Sequence, residues 1–274
     1  MINFFKKKQN KEENNFDNFP PIGGLMVSKM VVDKNIKPRF MYREKRTRPE
    51  DSGWRIFTGF ESEEYNDNPD NIGIYNPSTI LKIDPSIEDL LLKGIGSVYE
   101  KTENDDWYKV TDFDLEDDFM TTHRLTKDWT IDINNLFERS VEQDGTLYYT
   151  TGDKSIRLIV WNSEKNKQEL YADYSQDIEN RDQTISKTLD KFEFSDNDVS
   201  RIGYLIEEND DEKTYSVIYG FSIIDKEVLQ VAIYFDEKSD FDWAINTWKN
   251  IKLKKKRTHN IGLAIWRLKC FYET

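Results

Sequence analysis

One cysteine and two histidines are all that the 274 residues offer for thiol or soft-metal chemistry. Cys270 has no partner for an internal disulfide. His123 and His259 lie far apart, with no Cys–Cys or His–His pair at ligand spacing, so no zinc site is expected and both read as ordinary surface or capping residues. A cysteine nucleophile needs a base and partial exposure. Cys270 sits instead among Leu268, Phe271 and Tyr272 and reads as a small buried hydrophobe. Long hydrophobic runs are also missing. Nothing approaches the ~18 consecutive apolar residues of a membrane span, and MINFFKKKQNKEENNF has a basic cluster without an export-length apolar stretch. The expected location is a reducing cytoplasm, away from membranes. Phosphate-cradling loops are absent too. There is no GxxxxGK[ST], and Gly94-Ile95-Gly96 lacks the third glycine of a dinucleotide site, so it reads as a tight turn between helix and strand. No cofactor and no metal are expected.

Positive charge is scarce as well: 39 basic residues face 52 acidic ones, for a formal charge of −13. Such a balance repels phosphate backbones and attracts basic partners, so nucleic acid is not an expected ligand. The acids do not form a calcium loop. Asp112-Phe113-Asp114-Leu115-Glu116 alternates carboxylates but lacks the glycine at the sixth position and a suitably placed final Glu, and reads as a solvated stretch. The main basic cluster, Lys252, Lys254, Lys255, Lys256 and Arg257, begins at the last turn of a predicted helix, where cations complement the helix dipole.

What the chain has in plenty is aromatic surface, with 7 Trp, 14 Tyr and 16 Phe. Rings of that size fill sheet-rich cores and anchor protein interfaces. Together with the hydrophobic periodicity they give an α+β fold of two domains, each a mainly antiparallel sheet with a few packed helices. The expected division is a flexible leader at 1–22, an α+β domain at 23–125, an α+β sandwich domain at 126–253, and a basic then apolar tail at 254–274.

In the first domain, runs 25–32, 39–42 and 54–58 predict strands of an antiparallel meander, the last after a turn at Asp51-Ser52-Gly53. Asp84-Pro85 starts a predicted short helix with Ile87, Leu90 and Leu91 on one face. Strands at 96–100 and 107–111 follow, joined by an acidic turn. In the second, strands are predicted at 136–141, 146–150 and 156–161. A helix follows through Ile185, Leu189 and Phe192, then a three-stranded meander at 202–206, 215–224 and 228–235. Ser239 caps a last helix whose buried face is Phe241, Ala244, Ile245, Trp248 and Ile251. The apolar stretch 261–271 is expected to dock on either domain as a strand or a helix.

Residues 23 to about 101 carry a distinctive series: GGLMVSKMVV, RFMYRE, PEDSGWRIFTGFESEEY, DNPDNIGIYNPSTIL and KGIGSVYEK. This order resembles the bacterial family called domain of unknown function 2185, whose members are classed as immunity protein 33-like and linked to polymorphic toxin systems. The resemblance implies an α+β domain in a protein that protects its own cell by binding a cognate toxin, and it brings no enzymatic activity. The C-terminal half, with RLIVWN, RIGYLIEE and the Trp248 helix, is loosely similar to Mog1 and PsbP-like domains.

Period two in the strand 39–44 places Arg39, Met41 and Arg43 on one face and Phe40, Tyr42 and Glu44 on the other. Two neighbouring guanidiniums need carboxylates, and Glu50, Asp51, Glu61 and Glu63 are near in sequence. Arg39, Arg43 and Asp51, with Trp54 in the core, form the expected structural polar cluster. The stretch 61–70 holds five acids and a tyrosine with little strand or helix pattern, and reads as an exposed acidic loop. Glu61, Glu63, Glu64, Tyr65, Asp67 and Asp70 are the candidates for gripping a basic toxin surface, unless the loop serves solubility alone. Two other readings stay open: a non-catalytic interaction or scaffold module unrelated to toxins, and an enzyme using carboxylates hidden in a deep pocket at strongly shifted pKa.

Overall fold

Short apolar runs punctuated by Gly, Asn and Asp turns fold as strands that carry a few short helices. The structure, a computed structural model, describes residues 16, 18–209 and 213–254. In the N-terminal half the elements are β1 (Gly24–Ser28), α1 (Lys29–Asp33), β2 (Phe40–Arg43), β3 (Asp51–Phe57), α2 (Glu63–Asn66), β4 (Ile72–Tyr75), α3 (Pro77–Ile83), β5 (Val98–Lys101) and β6 (Trp107–Lys109). They make a six-stranded sheet in the order β4-β1-β3-β2-β5-β6.

This sheet is not the expected meander, because β1 and β3 run parallel while the other pairs are antiparallel. The cause lies in the run 25–32, which does not stay extended. Ser28 accepts a hydrogen bond from the Met30 amide and caps a five-residue helix, as short hydroxyl side chains do at helix starts. The chain thereby passes the position that β3 takes beside β1. The expected turn at Asp51-Ser52-Gly53 is part of β3 itself. Gly53 has φ 83°, and a Cβ there would collide with the Glu44 carbonyl, so the strand bends at a residue only glycine can supply.

One face of the sheet buries Leu25, Val27, Met41, Trp54, Ile56 and Tyr99 against Val31 of α1, Ile80 and Leu81 of α3, Ile87 and Leu91. Phe16 is buried in the same core, and Phe19 and Ile22 pack on it, so the end of the stretch expected as leader is packed. The helix expected from Asp84-Pro85 is instead two single 3-10 turns, Pro85–Ile87 and Leu90–Leu92. A proline disfavours helical backbone at the residue before it, and Asp84 is extended, at φ −141°. That stops α3 at Ile83.

The C-terminal half contains β7 (Met120–Arg124), β8 (Trp129–Asn134), β9 (Glu138–Val141), β10 (Leu147–Thr150), β11 (Lys154–Asn162), α4 (Lys167–Glu179), β12 (Thr188–Glu193), β13 (Ser200–Asn209), β14 (Thr214–Ile224), β15 (Glu227–Phe235), α5 (Phe241–Lys249) and β16 (Ile251–Leu253). A seven-stranded antiparallel sheet runs β12-β13-β14-β15-β11-β10-β9, and a three-stranded one runs β16-β8-β7. The predicted meander is present as β13, β14 and β15. The predicted helix through 185–192 is not. Ile185 is 95% exposed, and β12 pairs with β13 instead. The helix of this region lies earlier, where Asn166 and Glu169 form a reciprocal capping box at the start of α4. Strand β7 pairs with β8 although it precedes the boundary expected at 125/126.

The last helix is where it was expected, but its cap residue is Asp240, with no side-chain cap bond, and Ile251 has already entered β16. Lys252 is likewise in a strand, paired with Asp132. Trp248 lies across β13 and β14 on Gly203 and Gly220, which face each other in register. A Cβ on either would approach the indole to 2.6 or 2.5 Å. The two halves meet at the Gly94-Ile95-Gly96 turn, where the Ile95 amide donates to the Thr151 carbonyl at 2.7 Å. Arg46 to Glu138 and Lys93 to Glu237 flank that contact. His259, Cys270 and the tail beyond Lys254 lie outside the described residues.

Candidate binding surface

The described helices cover one face of the first sheet, and on the other face Val98, Phe40 and Tyr42 pack partly against Leu115 and Leu136. Strand register sets two rows of side chains across that second face: Ile74, Met26, Arg55, Tyr42 and Val98 in one, and Phe57, Phe40, Glu100 and Tyr108 in the next. The rings of Phe40, Tyr42 and Phe57 lie within 6.5 Å of one another. Phe113, from the stretch after β6, leans on Phe40 and Tyr42 at 5.3 and 5.2 Å and closes one side. The opposite side stays open, with Ile74 75% and Phe60 67% exposed.

Two grooves lie on this open face. One, of about 510 Å³, has Phe40, Tyr42 and Phe57 as its floor, Ile72 and Asn66 on a wall, and Glu61 and Glu100 among its lining residues. The other, of about 520 Å³, passes Met26 and Ile74 beside Glu50 and Asp51. Arg55 stands in the row between Met26 and Tyr42, donating to Asp51 at 2.9 and 2.8 Å and to Glu44 at 2.7 Å. Burial lowers the Arg55 pKa, and the two carboxylates more than reverse that.

The acidic stretch that forms a rim of this face is more ordered than a loop. Ser62 caps α2 by accepting from the Tyr65 amide, and Pro69–Asn71 forms a 3-10 turn. The six candidates divide. Glu61 turns inward and accepts from the Thr58 amide, the Thr58 hydroxyl and the Gly59 amide at 2.8–2.9 Å. Burial pushes its carboxyl up, and these donors with the Ser28 hydroxyl hold it below the usual range. Tyr65 is half-buried, with its hydroxyl donating to the Asn71 carbonyl. Glu63, Glu64, Asp67 and Asp70 are exposed, and among the described residues these four carboxylates and Glu61 make no ion pair.

The expected polar cluster is assembled differently. Arg39 reaches Asp105 and the Thr102 carbonyl, while Arg43 donates to the carbonyls of Ser52 and Lys93 and lies 5.9 Å from the Trp54 ring. Asp51 is not their partner. It projects on the open side of the sheet with Arg55, whereas Arg43 shares the covered face with Met41 and Trp54. Sequence reasoning missed Arg55 because Asp51 was assigned to a turn. Trp54 is fully buried, as expected of a core residue, and its indole donates to the Leu91 carbonyl.

Every carboxylate with a displaced pKa among the described residues is displaced downward: Asp51, Glu61, Asp84, Asp132, Asp144, Asp182, Asp196 and Glu237. A general acid working near neutrality needs the opposite shift. No group of three or more His, Cys, Asp or Glu among the described residues is placed to hold a metal. None of the described helices is long and apolar enough to cross a membrane. His123 contacts the Tyr149 hydroxyl at 3.2 Å, and burial lowers its pKa.

The span that builds this face is also the span that relates the chain to known proteins. Residues 25–111 match the family described as Immunity protein Imm33 domain. The Imm33 match contains nearly the whole six-stranded sheet and almost every residue lining the two grooves, and it agrees with the resemblance read from 23 to about 101. No curated protein matches the chain. Among solved structures, the solution structure of cyanobacterial PsbP (CyanoP) from Synechocystis sp. PCC 6803 is similar at a TM-score of 0.38 and 5% identity, covering 49% of this chain and 92% of that one. A crystal structure from Bacteroides thetaiotaomicron VPI-5482 is similar at 0.36 and 5% identity, covering 47% of this chain and 46% of that one.

Proposed function

We propose that this protein binds and neutralises a cognate toxin of a bacterial polymorphic toxin system, in the cytoplasm, by covering the toxin's working surface rather than by catalysis. The observation that carries this reading is the Imm33 match over residues 25–111. Within that span the sheet leaves aromatic rings open beside Glu61 and Glu100, carboxylates that pair with no cation among the described residues. Aromatic anchors in a patch that loses water on binding supply most of an interface's affinity, and charge at the rim steers the approach of a basic partner. A net charge of −13 acts in the same direction at long range.

Co-expression with the products of flanking genes tests the reading. One product lethal on its own should be tolerated when this protein is present. The two should co-purify at low salt and separate more readily as salt rises, because rim charges are screened. If no flanking product is both toxic and bound, the reading fails.

A further inference from the structure

Glu100 faces the open side of β5 in register with Phe40, and its carboxylate accepts the Tyr108 hydroxyl at 2.6 Å. Glu61 lines the same groove, its carboxylate accepting hydrogen bonds from Thr58 and Gly59. Among the described residues neither carboxylate makes an ion pair. Between them lie the rings of Phe40, Phe57 and Tyr42, whose faces carry the negative end of the aromatic quadrupole. The groove therefore offers negative potential and apolar floor together.

That combination selects its occupant. An apolar side chain would strip water from two carboxylates and give them nothing in return. An anion is repelled. A lysine ammonium is compact and strongly hydrated, whereas a guanidinium is planar, weakly hydrated, stacks on rings and presents several donors to carboxylates. We propose that this groove is the socket for an arginine side chain presented by the partner protein. The proposal rests on the partner-binding reading above and deepens it by naming the contact.

The test needs no toxin. The probes are the peptides Ac-Val-Arg-Val-NH2, its lysine analogue and its uncharged citrulline analogue, titrated into the full chain at low salt and followed by NMR. Arginine peptide should give saturable shifts at the rings of Phe40 and Phe57 and the methyls of Ile72. The lysine and citrulline peptides should bind at least about fivefold more weakly. Glu100→Gln, at an exposed position, should remove most of the arginine preference while the melting temperature stays unchanged. Phe40→Leu, which keeps apolar volume but removes a ring, is the second variant and should weaken arginine binding by a similar factor.

Equal binding of the three peptides, shifts scattered over the exposed acids, or no saturable shift would each overturn the socket. The two readings fail separately. A protein that neutralises a toxin but does not take the arginine peptide here loses only the socket. One that takes the peptide but protects against no toxin loses only the immunity reading.

Discussion

The ammonium of Lys101 lies 2.7 Å from the carboxylate of Asp84, with both side chains sealed from solvent. The pair fastens β5 to the 3-10 turn after α3, beneath the ring of Trp107, whose centroid is 5.1 Å from the ammonium. Asp84 also accepts from the amide and hydroxyl of Ser86, so one carboxylate both caps the turn and neutralises the lysine. Removing Asp84 leaves the buried Lys101 ammonium with only the half-exposed Asp105 carboxylate, 3.3 Å away, for compensation. Asp84→Ala should destabilise the chain by about 3 kcal/mol, the low end for a broken buried pair because Asp105 remains, read from urea unfolding. Replacing both residues together with apolar side chains of similar volume should cost much less, and an equal loss would show that the charge pair is not the cause.

The same carboxylate sets a pH dependence. Burial pushes the Asp84 carboxyl up, but its hydrogen bonds from Lys101 and Ser86 hold it below the ordinary carboxylate value. For a depressed pKa the stabilisation is full above the unfolded value of about 4 and disappears as pH falls through the folded value. Wild type should therefore exceed Asp84→Asn in stability by a constant margin from pH 7 to about 5, and the margin should shrink in more acid solution. A margin that grows below pH 4 would contradict the assignment.

In the C-terminal half the tightest constraint is steric. Trp248 rests on Gly203 and Gly220, and its indole donates to the Ser222 hydroxyl at 3.1 Å. A methyl group at either glycine must displace a fully buried ring, and overpacking of this kind costs about 1–3 kcal/mol. Gly220→Ala should lower the unfolding midpoint by that amount and shift the tryptophan fluorescence to the red. An unchanged midpoint would mean that α5 moves freely on the sheet.

These constraints mark what the sequence could and could not reveal. The β13–β15 meander was legible because long apolar and alternating runs lie between short polar turns, and α5 because its apolar residues keep helical spacing to Trp248. Strand β12 was not, since Leu189 and Phe192 fit one helix face as well as they fit a strand. Strand β7 was missed where Thr, His and Arg give little hydrophobic signal, whereas β8 was overlooked although Trp129, Ile131 and Ile133 alternate with polar residues in the period of a strand. The N-terminal sheet hid its parallel pair because α1 is written in the same apolar letters as β1. At the candidate site, local period two already put Phe40 and Tyr42 on one face. Their neighbours Phe57 and Glu100 come from cross-strand register, which no local pattern encodes. Glu61 counted as one acid among five because its inward turn depends on the two amides that it caps.

That division within the acidic stretch can be measured. Glu63, Glu64, Asp67 and Asp70 are exposed and unpaired among the described residues, so they act on a partner mainly through long-range attraction. Changing all four to Ser or Gln should slow association with a basic toxin by about tenfold at low salt, with little change in dissociation or in stability. Glu61 behaves differently because it accepts two backbone amides and a hydroxyl. Glu61→Ala should cost about 1–3 kcal/mol of stability by leaving those donors unsatisfied. It should also speed dissociation, because the rim of the aromatic groove loses its support. Stopped-flow kinetics and thermal melts on the two variants separate the roles. If the fourfold variant melts early and Glu61→Ala changes only the association rate, the structural and steering carboxylates have been assigned the wrong way round.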